Sequence, residues 1–241
     1  MSARIGFDRK VRANWLDAAA GCAGRGETPS TARTWLAEFV ARDPDGDAKG
    51  AVAIRKTVTV LLHVWVTPPP ALRDFRDRGL DLWSRLPEGD RRVVHWGMCC
   101  ASYPFFLDVA TTVGRLADLQ RTARLNDVVS RLAERWGDRS TMRRAAQRVV
   151  RSMIEWGCLE ETGNRGVYRP APRSAPATDV AVWMVEGAMR GAGREGVGVD
   201  EARALPSLFP FNLDLRTRDF RDRAGVELHR EGRDRDVVGV R

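Results

Sequence analysis

The sequence predicts a mainly α-helical protein with a small α+β part at its C-terminal end. Apolar residues recur at helical spacing through most segments between residues 8 and 156. Proline- and glycine-rich breaks separate these segments, and an alternating pattern typical of strands comes only near the end, at residues 226–240. Hydrophobic residues make up 43% and charged residues 30% of the 241 residues, which is an ordinary globular composition that can supply a large core.

Residues 1–104 are predicted to form a helical module. Helices are expected at residues 8–24, at 30–41 with Ser30 or Thr31 as the N-cap, at 70–85 and at 90–101. The apolar segment 51–66 is rich in Val and Thr and is compatible with a helix or a strand. Its helical neighbours favour a helix.

The loop at residues 43–50 has a calcium-like spacing of acids. Asp43, Asp45 and Asp47 occupy alternate positions, as in an EF-hand loop. The sixth position is Ala48 where that loop needs Gly, and the twelfth is Ile54 where it needs Glu. A solvated turn is therefore the better interpretation.

Residues 105–169 are predicted to contain three helices followed by a hairpin. The helices are expected at 105–121, at 125–136, and from a cap at Ser140 or Thr141 to Trp156. Two short runs then flank a Gly/Asn tip at residues 163–166, which is a hairpin signal.

The third of these helices has two contrasting faces. A core stripe is formed by Met142, Ala146, Val149, Met153 and Trp156. The opposite face carries Arg143, Arg144, Gln147, Arg148 and Arg151. Five arginines and no acid lie between Arg139 and Arg151.

The overall charge also favours a polyanionic partner. The net charge is +8 and the isoelectric point is about 10.1. Only three of the 40 basic residues are lysines, a bias typical of GC-rich genomes that accounts for part of the basic character. The acid-free arginine cluster is the part that such a bias explains poorly.

The order of helix, helix, tight turn, basic helix and hairpin resembles the winged helix-turn-helix superfamily over about residues 105–169. In that superfamily the second helix of the helix-turn-helix enters the major groove of DNA. The resemblance implies that base edges are read by Arg139, Ser140, Thr141, Arg143, Arg144, Gln147 and Arg148. It implies phosphate contacts for Arg151, Asn164 and Arg165.

Most of the chain also resembles the small BrxA-like component of BREX phage-defence systems. The resembling stretches are Tyr103–Phe106, Arg143–Gly157 with Cys158 and Leu159, Leu208–Phe211 and Val226–Gly232. This resemblance implies a non-catalytic DNA-binding accessory protein that works beside larger defence enzymes and other protein subunits.

The remaining residues are predicted to form a linker and a small α+β region. Pro170 and its neighbours to residue 177 are proline-rich and indicate a linker, followed by a C-terminal region at 178–241. Its helix is expected at about 178–190, and its hairpin at 226–240 with the turn near 231–232. The stretch 191–196 matches G-x-G-x-x-G but follows a helix where a nucleotide site needs a strand, so it indicates a flexible connection.

Enzymatic chemistry has little support in the sequence. No two of the four cysteines form a C-x-x-C pair, and with three histidines they make no zinc pattern. Cys99 and Cys100 lie in an apolar stretch that favours buried thiols, and His63 and His95 favour core roles. We therefore expect no metal, no cofactor and no catalysis, although a nuclease built from scattered acids would leave no strong sequence signature.

A cytoplasmic location without membrane contact is expected. The first residues lack a signal-peptide core, and the longest apolar run, Val58–Val66, is far shorter than the roughly 20 residues that span a bilayer.

The predicted function is nucleic-acid binding, most of all to double-stranded DNA, through the basic helix 141–156 and the wing 158–169. The alternative is a protein-docking adaptor in a defence or transcription complex, without direct DNA contact.

Overall fold

The computed structural model describes residues 5–46, 48, 50–232 and 235–241. In these residues the chain forms ten α-helices and two antiparallel sheets of three strands, which confirms the mainly α fold with a small α+β part. The helices are α1 (Ala13–Gly24), α2 (Pro29–Arg42), α3 (Ala51–Leu61), α4 (Arg73–Arg85), α5 (Arg92–Ser102), α6 (Pro104–Gln120), α7 (Leu125–Trp136), α8 (Ser140–Glu155), α9 (Thr178–Ala192) and α10 (Val199–Arg203). The strands are β1 (Ala123–Arg124), β2 (Leu159–Glu161), β3 (Val167–Pro170), β4 (Gly196–Gly198), β5 (Val226–Glu231) and β6 (Arg235–Val240).

The first helix is shorter than predicted. It begins at Ala13, whereas the sequence favoured a start at residue 8, and residues 5–12 outside it form an irregular segment that we call the strap. Phe7 and Val11 of the strap are fully buried, and Arg12 has extended backbone angles (φ −88°, ψ 152°). The backbone of Val11 in the strap bonds to side chains far along the chain: its N–H donates to Ser152 of α8, and its carbonyl accepts from Trp156, which follows α8. These backbone groups are therefore not used in a helical turn.

Two further details of the N-terminal helices differ from prediction or refine it. Thr28, and neither Ser30 nor Thr31, caps α2: its Oγ1 accepts a hydrogen bond of 3.2 Å from the Thr31 N–H. Pro29 can then occupy the first helical position, where a missing N–H costs nothing. The ambiguous segment 51–66 is helical, and its last turn widens to a π-helix over Leu62–Val66.

The middle of the chain contains the predicted helices and hairpin and one strand that was not predicted. Strands β2 and β3 pair antiparallel, with Glu160 opposite Arg169. Strand β1, which has only two residues, pairs with the other edge of β3, so the sheet order is β1-β3-β2. The predicted cap of α8 was wrong: Arg139 is the N-cap residue, and its side chain makes no capping hydrogen bond.

Helix α9 packs against the N-terminal helices. Small residues let the backbones of α5 and α9 touch: a Cβ at Gly187 would lie 2.8 Å from the Gly97 carbonyl oxygen. The Trp183 ring stacks on Phe75 of α4 at 4.3 Å. Buried hydrophobic residues from the N-terminal helices, the middle segment and the C-terminal region form one continuous core, so α9 shares the core of residues 1–104.

Trp96 of α5 lies at the centre of that core. Its indole N–H donates to the Ser207 carbonyl oxygen at 2.9 Å. Its ring meets four aromatic rings edge-on at centroid distances of 5.2 to 6.1 Å, those of Phe106, Trp156, Phe209 and Phe211. The cluster therefore joins α5, α6, the end of α8 and the segment after α10.

The C-terminal sheet has the order β4-β6-β5. The predicted hairpin is present as β5 and β6, and the part of its turn at residues 233–234 lies outside the described residues. The stretch 191–196 was predicted to be a flexible connection after a helix, but it is not wholly a loop, because α9 extends through Ala192. Gly193 ends α9 in the left-handed conformation (φ 63°), and β4 begins at Gly196.

A buried carboxylate ties these C-terminal elements to α4. Glu186 of α9 is fully buried and accepts two hydrogen bonds of 2.7 Å from the Arg78 guanidinium and one of 2.7 Å from Arg190. Arg78 also donates to the Ala224 carbonyl oxygen, and Arg190 donates to that of Arg241. Glu186 thus positions Arg78 and Arg190, and these arginines bond to the backbone before β5, at Ala224, and after β6, at Arg241.

Replacing Glu186 with Ala should therefore destabilise the protein strongly. Removal of one partner of a buried ion pair costs about 3 kcal/mol or more, since the arginines lose their compensation. Chemical unfolding in urea measures the loss. Glu201→Ala is the matched control, because Glu201 pairs with Arg194 at the surface and should leave stability unchanged. Equal stability of the two variants would contradict this role for Glu186.

Candidate nucleic-acid interface

The predicted core stripe of α8 is buried, which turns the opposite face outward. Met142, Ala146, Val149 and Met153 are fully buried, and Trp156 follows directly after the helix at 4% exposure. Because these residues lie one turn apart on one side, α8 cannot rotate without exposing them. The polar residues of α8 are therefore held at fixed positions on the surface.

The predicted contact residues lie on this outward face and at the hairpin tip. Gln147 and Arg148 are half-buried. The others are exposed: Arg139, Ser140, Thr141, Arg143, Arg144 and Arg151 of α8 and its N-cap, and Asn164 and Arg165 of the hairpin.

Arg143 is paired with an acid that lies just outside the acid-free run. Its guanidinium donates to both carboxylate oxygens of Asp138, at 2.9 and 3.2 Å. This pair lowers the pKa of Asp138 and raises the pKa of Arg143. Both side chains are exposed, so the pair is weak and Arg143 can exchange it for another anion.

Arg144 and Arg151 keep uncompensated charges. Arg144 donates to the backbone oxygen and the hydroxyl of Ser140, both neutral, at 3.3 Å. Among the residues that the structure describes, no carboxylate lies within 4.0 Å of the Arg144 or Arg151 guanidinium. Exposed, unpaired guanidinium groups on a rigid helix are suited to bind phosphates or base edges.

The charge of Arg151 lies near the hairpin. Burial raises the pKa of Tyr168 on β3 and the Glu161 carboxylate raises it further, whereas the nearby Arg151 opposes the rise. The charge of Arg151 therefore reaches strand β3 of the hairpin.

The hairpin adds basic residues of its own. Arg165 lies at the exposed tip, and Arg169 is paired with Glu160 across the two strands at 2.6 Å. Strand β1 places Arg124 opposite Val167 at the base of the tip. Arg124 is exposed and was not among the predicted contact residues, because a two-residue strand leaves no periodic signal in the sequence.

The strap covers one edge of α8 along its C-terminal half. The Val11 N–H donates to Ser152 Oγ at 2.9 Å, and the Val11 carbonyl accepts from the Trp156 indole N–H at 2.9 Å. Just beyond the strap, the Ala13 N–H donates to the Glu155 carboxylate at 3.0 Å. The N-terminal half of α8 has no such cover among the described residues.

Arg148 differs from its neighbours because the strap holds it. Its guanidinium donates to the Asp8 carbonyl oxygen at 2.8 Å. Burial lowers its pKa, and the charges of Arg9 and Arg144 lower it further. The side chain is thus anchored at the strap and half-buried, whereas Arg143, Arg144 and Arg151 on the same helix are exposed.

Comparison of the chain with protein-family models, curated proteins and solved structures finds no significant match.

His63 and His95 have hydrogen-bond partners, and the cysteines are buried. His95 is buried and bonds to Asp17 at 3.1 Å, and His63 lies 3.3 Å from the Ser102 carbonyl oxygen, in line with the predicted core roles. All four cysteines are buried, as expected for Cys99 and Cys100. Burial raises the pKa of Cys22 to about 11 and of Cys158 to about 12, which keeps both thiols protonated at neutral pH.

The loop at residues 43–50 also has a structural role. Asp43 accepts a hydrogen bond of 2.6 Å from the indole N–H of the buried Trp15, and it lies 3.2 Å from the Arg12 guanidinium. Asp47 lies outside the described residues. Within the described residues, no group of three His, Cys, Asp or Glu is placed to hold a metal ion, and no helix is long and apolar enough to cross a membrane.

The Ser152→Ala variant tests whether the strap depends on α8. Loss of the hydroxyl leaves the buried Val11 N–H without an acceptor, which should lower the free energy of unfolding by about 1–3 kcal/mol. It should also shift the Trp156 indole N–H signal in NMR spectra, since that group bonds to the same strap residue. Ser130→Ala, on the exposed face of α7, is the control and should change neither quantity. An unshifted Trp156 signal in Ser152→Ala would show that the strap is held by other contacts.

Proposed function

We propose that this chain is a non-catalytic protein that binds double-stranded DNA through the exposed face of α8 and the β2–β3 hairpin. The observation that carries the proposal is the pair of uncompensated, exposed guanidinium groups of Arg144 and Arg151 on a helix whose other side is fixed in the core. A polyanion would supply the missing negative charge, and the net charge of +8 would draw it to the protein.

The topology of residues 104–170 supports a winged-helix segment. The order α6, β1, α7, α8, β2, β3, with the sheet order β1-β3-β2, is typical of that fold. In a winged helix-turn-helix, α8 would enter the major groove with its N-terminal residues leading. The uncovered half of α8 is this N-terminal half.

The contacts divide by position. Arg139, Thr141, Arg143 and Gln147 would face the base edges, with Arg143 exchanging Asp138 for DNA. Arg144, whose charge is uncompensated, would hold phosphates together with Arg151, Asn164 and Arg165, and phosphate contacts set affinity without reading sequence.

A role as an accessory component of a BREX-type phage-defence system is proposed from the sequence resemblance alone. In that role the protein would carry DNA to, or hold it beside, larger enzyme subunits.

A second candidate is a protein-docking adaptor, favoured by an apolar groove on α2. Trp35, 42% exposed, stacks on Phe39 at a centroid distance of 5.1 Å. The groove next to these rings has a volume of about 420 Å³ and is lined also by Asn14, Asp43 and Pro44. Exposed aromatic residues of this kind are typical of protein interfaces.

The double variant Arg144→Glu/Arg151→Glu tests DNA binding. Fluorescence anisotropy with a duplex of about 30 base pairs at several salt concentrations should show tight, strongly salt-dependent binding for the wild type. In the variant, the negative slope of log affinity against log salt should become shallower by about 2, since two charged contacts are lost.

The control carries the same change of charge elsewhere. Arg33→Glu/Arg55→Glu alters exposed arginines of α2 and α3 and should retain most of the affinity. Equal losses in both double variants would mean that only net charge matters and would contradict the site. If the wild type fails to bind the duplex at low salt, DNA binding is wrong and the adaptor becomes the leading hypothesis.

A further inference from the structure

The strap and α8 cross at a cluster of three arginines. Arg148 donates to the Asp8 carbonyl oxygen, so the next strap residue, Arg9, lies beside the crossing. Arg144 is one helical turn before Arg148 on the same side of α8. The positive charges of Arg9 and Arg144 both lower the pKa of Arg148, in keeping with this placement at the crossing.

The cluster has less negative charge than it needs. The carboxylate of Asp8 lies 3.6 Å from Arg9 Nε and is its ion-pair partner there. In the part of the chain that the structure describes, that Nε atom is buried and has no hydrogen-bond partner. Arg9 thus has one carboxylate beside it, Arg144 and Arg148 pair with none within 4.0 Å among the described residues, and one buried donor is unsatisfied.

We propose that Arg9, Arg144 and Arg148 hold a single backbone phosphate of the bound nucleic acid at the crossing of the strap and α8. The inference rests on the proposed function and extends it, because it adds the strap to the binding surface. A phosphate offers several strong acceptor oxygens to converging guanidinium groups and would compensate the excess charge.

The site also changes the role of Arg148. With its guanidinium anchored at the Asp8 carbonyl, Arg148 holds a phosphate and does not read a base, in contrast to the role that the sequence resemblance implied.

The Arg9→Gln variant tests the site. In the duplex titration, its slope of log affinity against log salt should be shallower than that of the wild type by about 1, because one phosphate contact is lost. For the same reason its affinity at about 0.15 M salt should be about fivefold weaker. The hydrogen bonds that dock the strap use none of the Arg9 side-chain atoms, so the Trp156 indole N–H signal should stay in place. Arg33→Gln, an exposed arginine on α2, is the control and should keep the wild-type slope.

Asp8→Asn provides a second variant, because it keeps the carbonyl that anchors Arg148 and removes the competing carboxylate. It should bind the duplex more tightly than the wild type, and unchanged or weaker binding would overturn the phosphate site. The phosphate site would also be overturned if Arg9→Gln kept the wild-type slope while Arg144→Glu/Arg151→Glu lost binding. That result would leave the proposed function intact. Absence of wild-type binding would instead overturn the proposed function and this inference together.

Discussion

The packing of Trp156 against Trp96 is the interaction on which the candidate interface depends. Trp156 ends α8, and its ring meets Trp96 in the centre of the core while its indole N–H bonds to the Val11 carbonyl oxygen. One side chain therefore fixes both the position of the basic helix and the path of the strap. Trp96 is held in turn by rings from α6 and from the segment after α10, so the outward face of α8 is oriented by residues from nearly the whole chain.

This arrangement gives the arginines of α8 different roles although they look equivalent in the sequence. Arg143 is neutralised by Asp138, and Arg148 is anchored to the strap, whereas Arg144 and Arg151 keep their charges exposed. The helix that carries these arginines is held in place by the core, so its backbone does not have to be ordered on binding, which favours contact with a rigid polyanion. The surface that we propose for DNA therefore has Arg144 and Arg151 as its principal charges, and Arg143 joins it by releasing Asp138.

Local patterns in the sequence were sufficient to predict the elements that are built from near neighbours. The stripe from Met142 to Trp156 defined the buried face of α8, and the Gly/Asn tip defined the hairpin. The strap could not be predicted, because Val11 and its partner Ser152 are 141 residues apart in the chain and no local pattern links them. The same distance explains the wrong start of α1 and the unexpected anchoring of Arg148. Strand β1 was missed because two residues are too few to show an alternation.

Photo-crosslinking of the wild-type protein to a duplex that carries diazirine-modified nucleotides, which react with neighbouring side chains of any type, tests the central claim most directly when the products are mapped by peptide analysis. The account predicts crosslinks within residues 139–151, the hairpin at 159–169 and the strap. Crosslinks concentrated on α2 and α3, around Trp35, or on the β5–β6 hairpin would contradict it, because DNA would then bind a surface that α8 and the strap do not form.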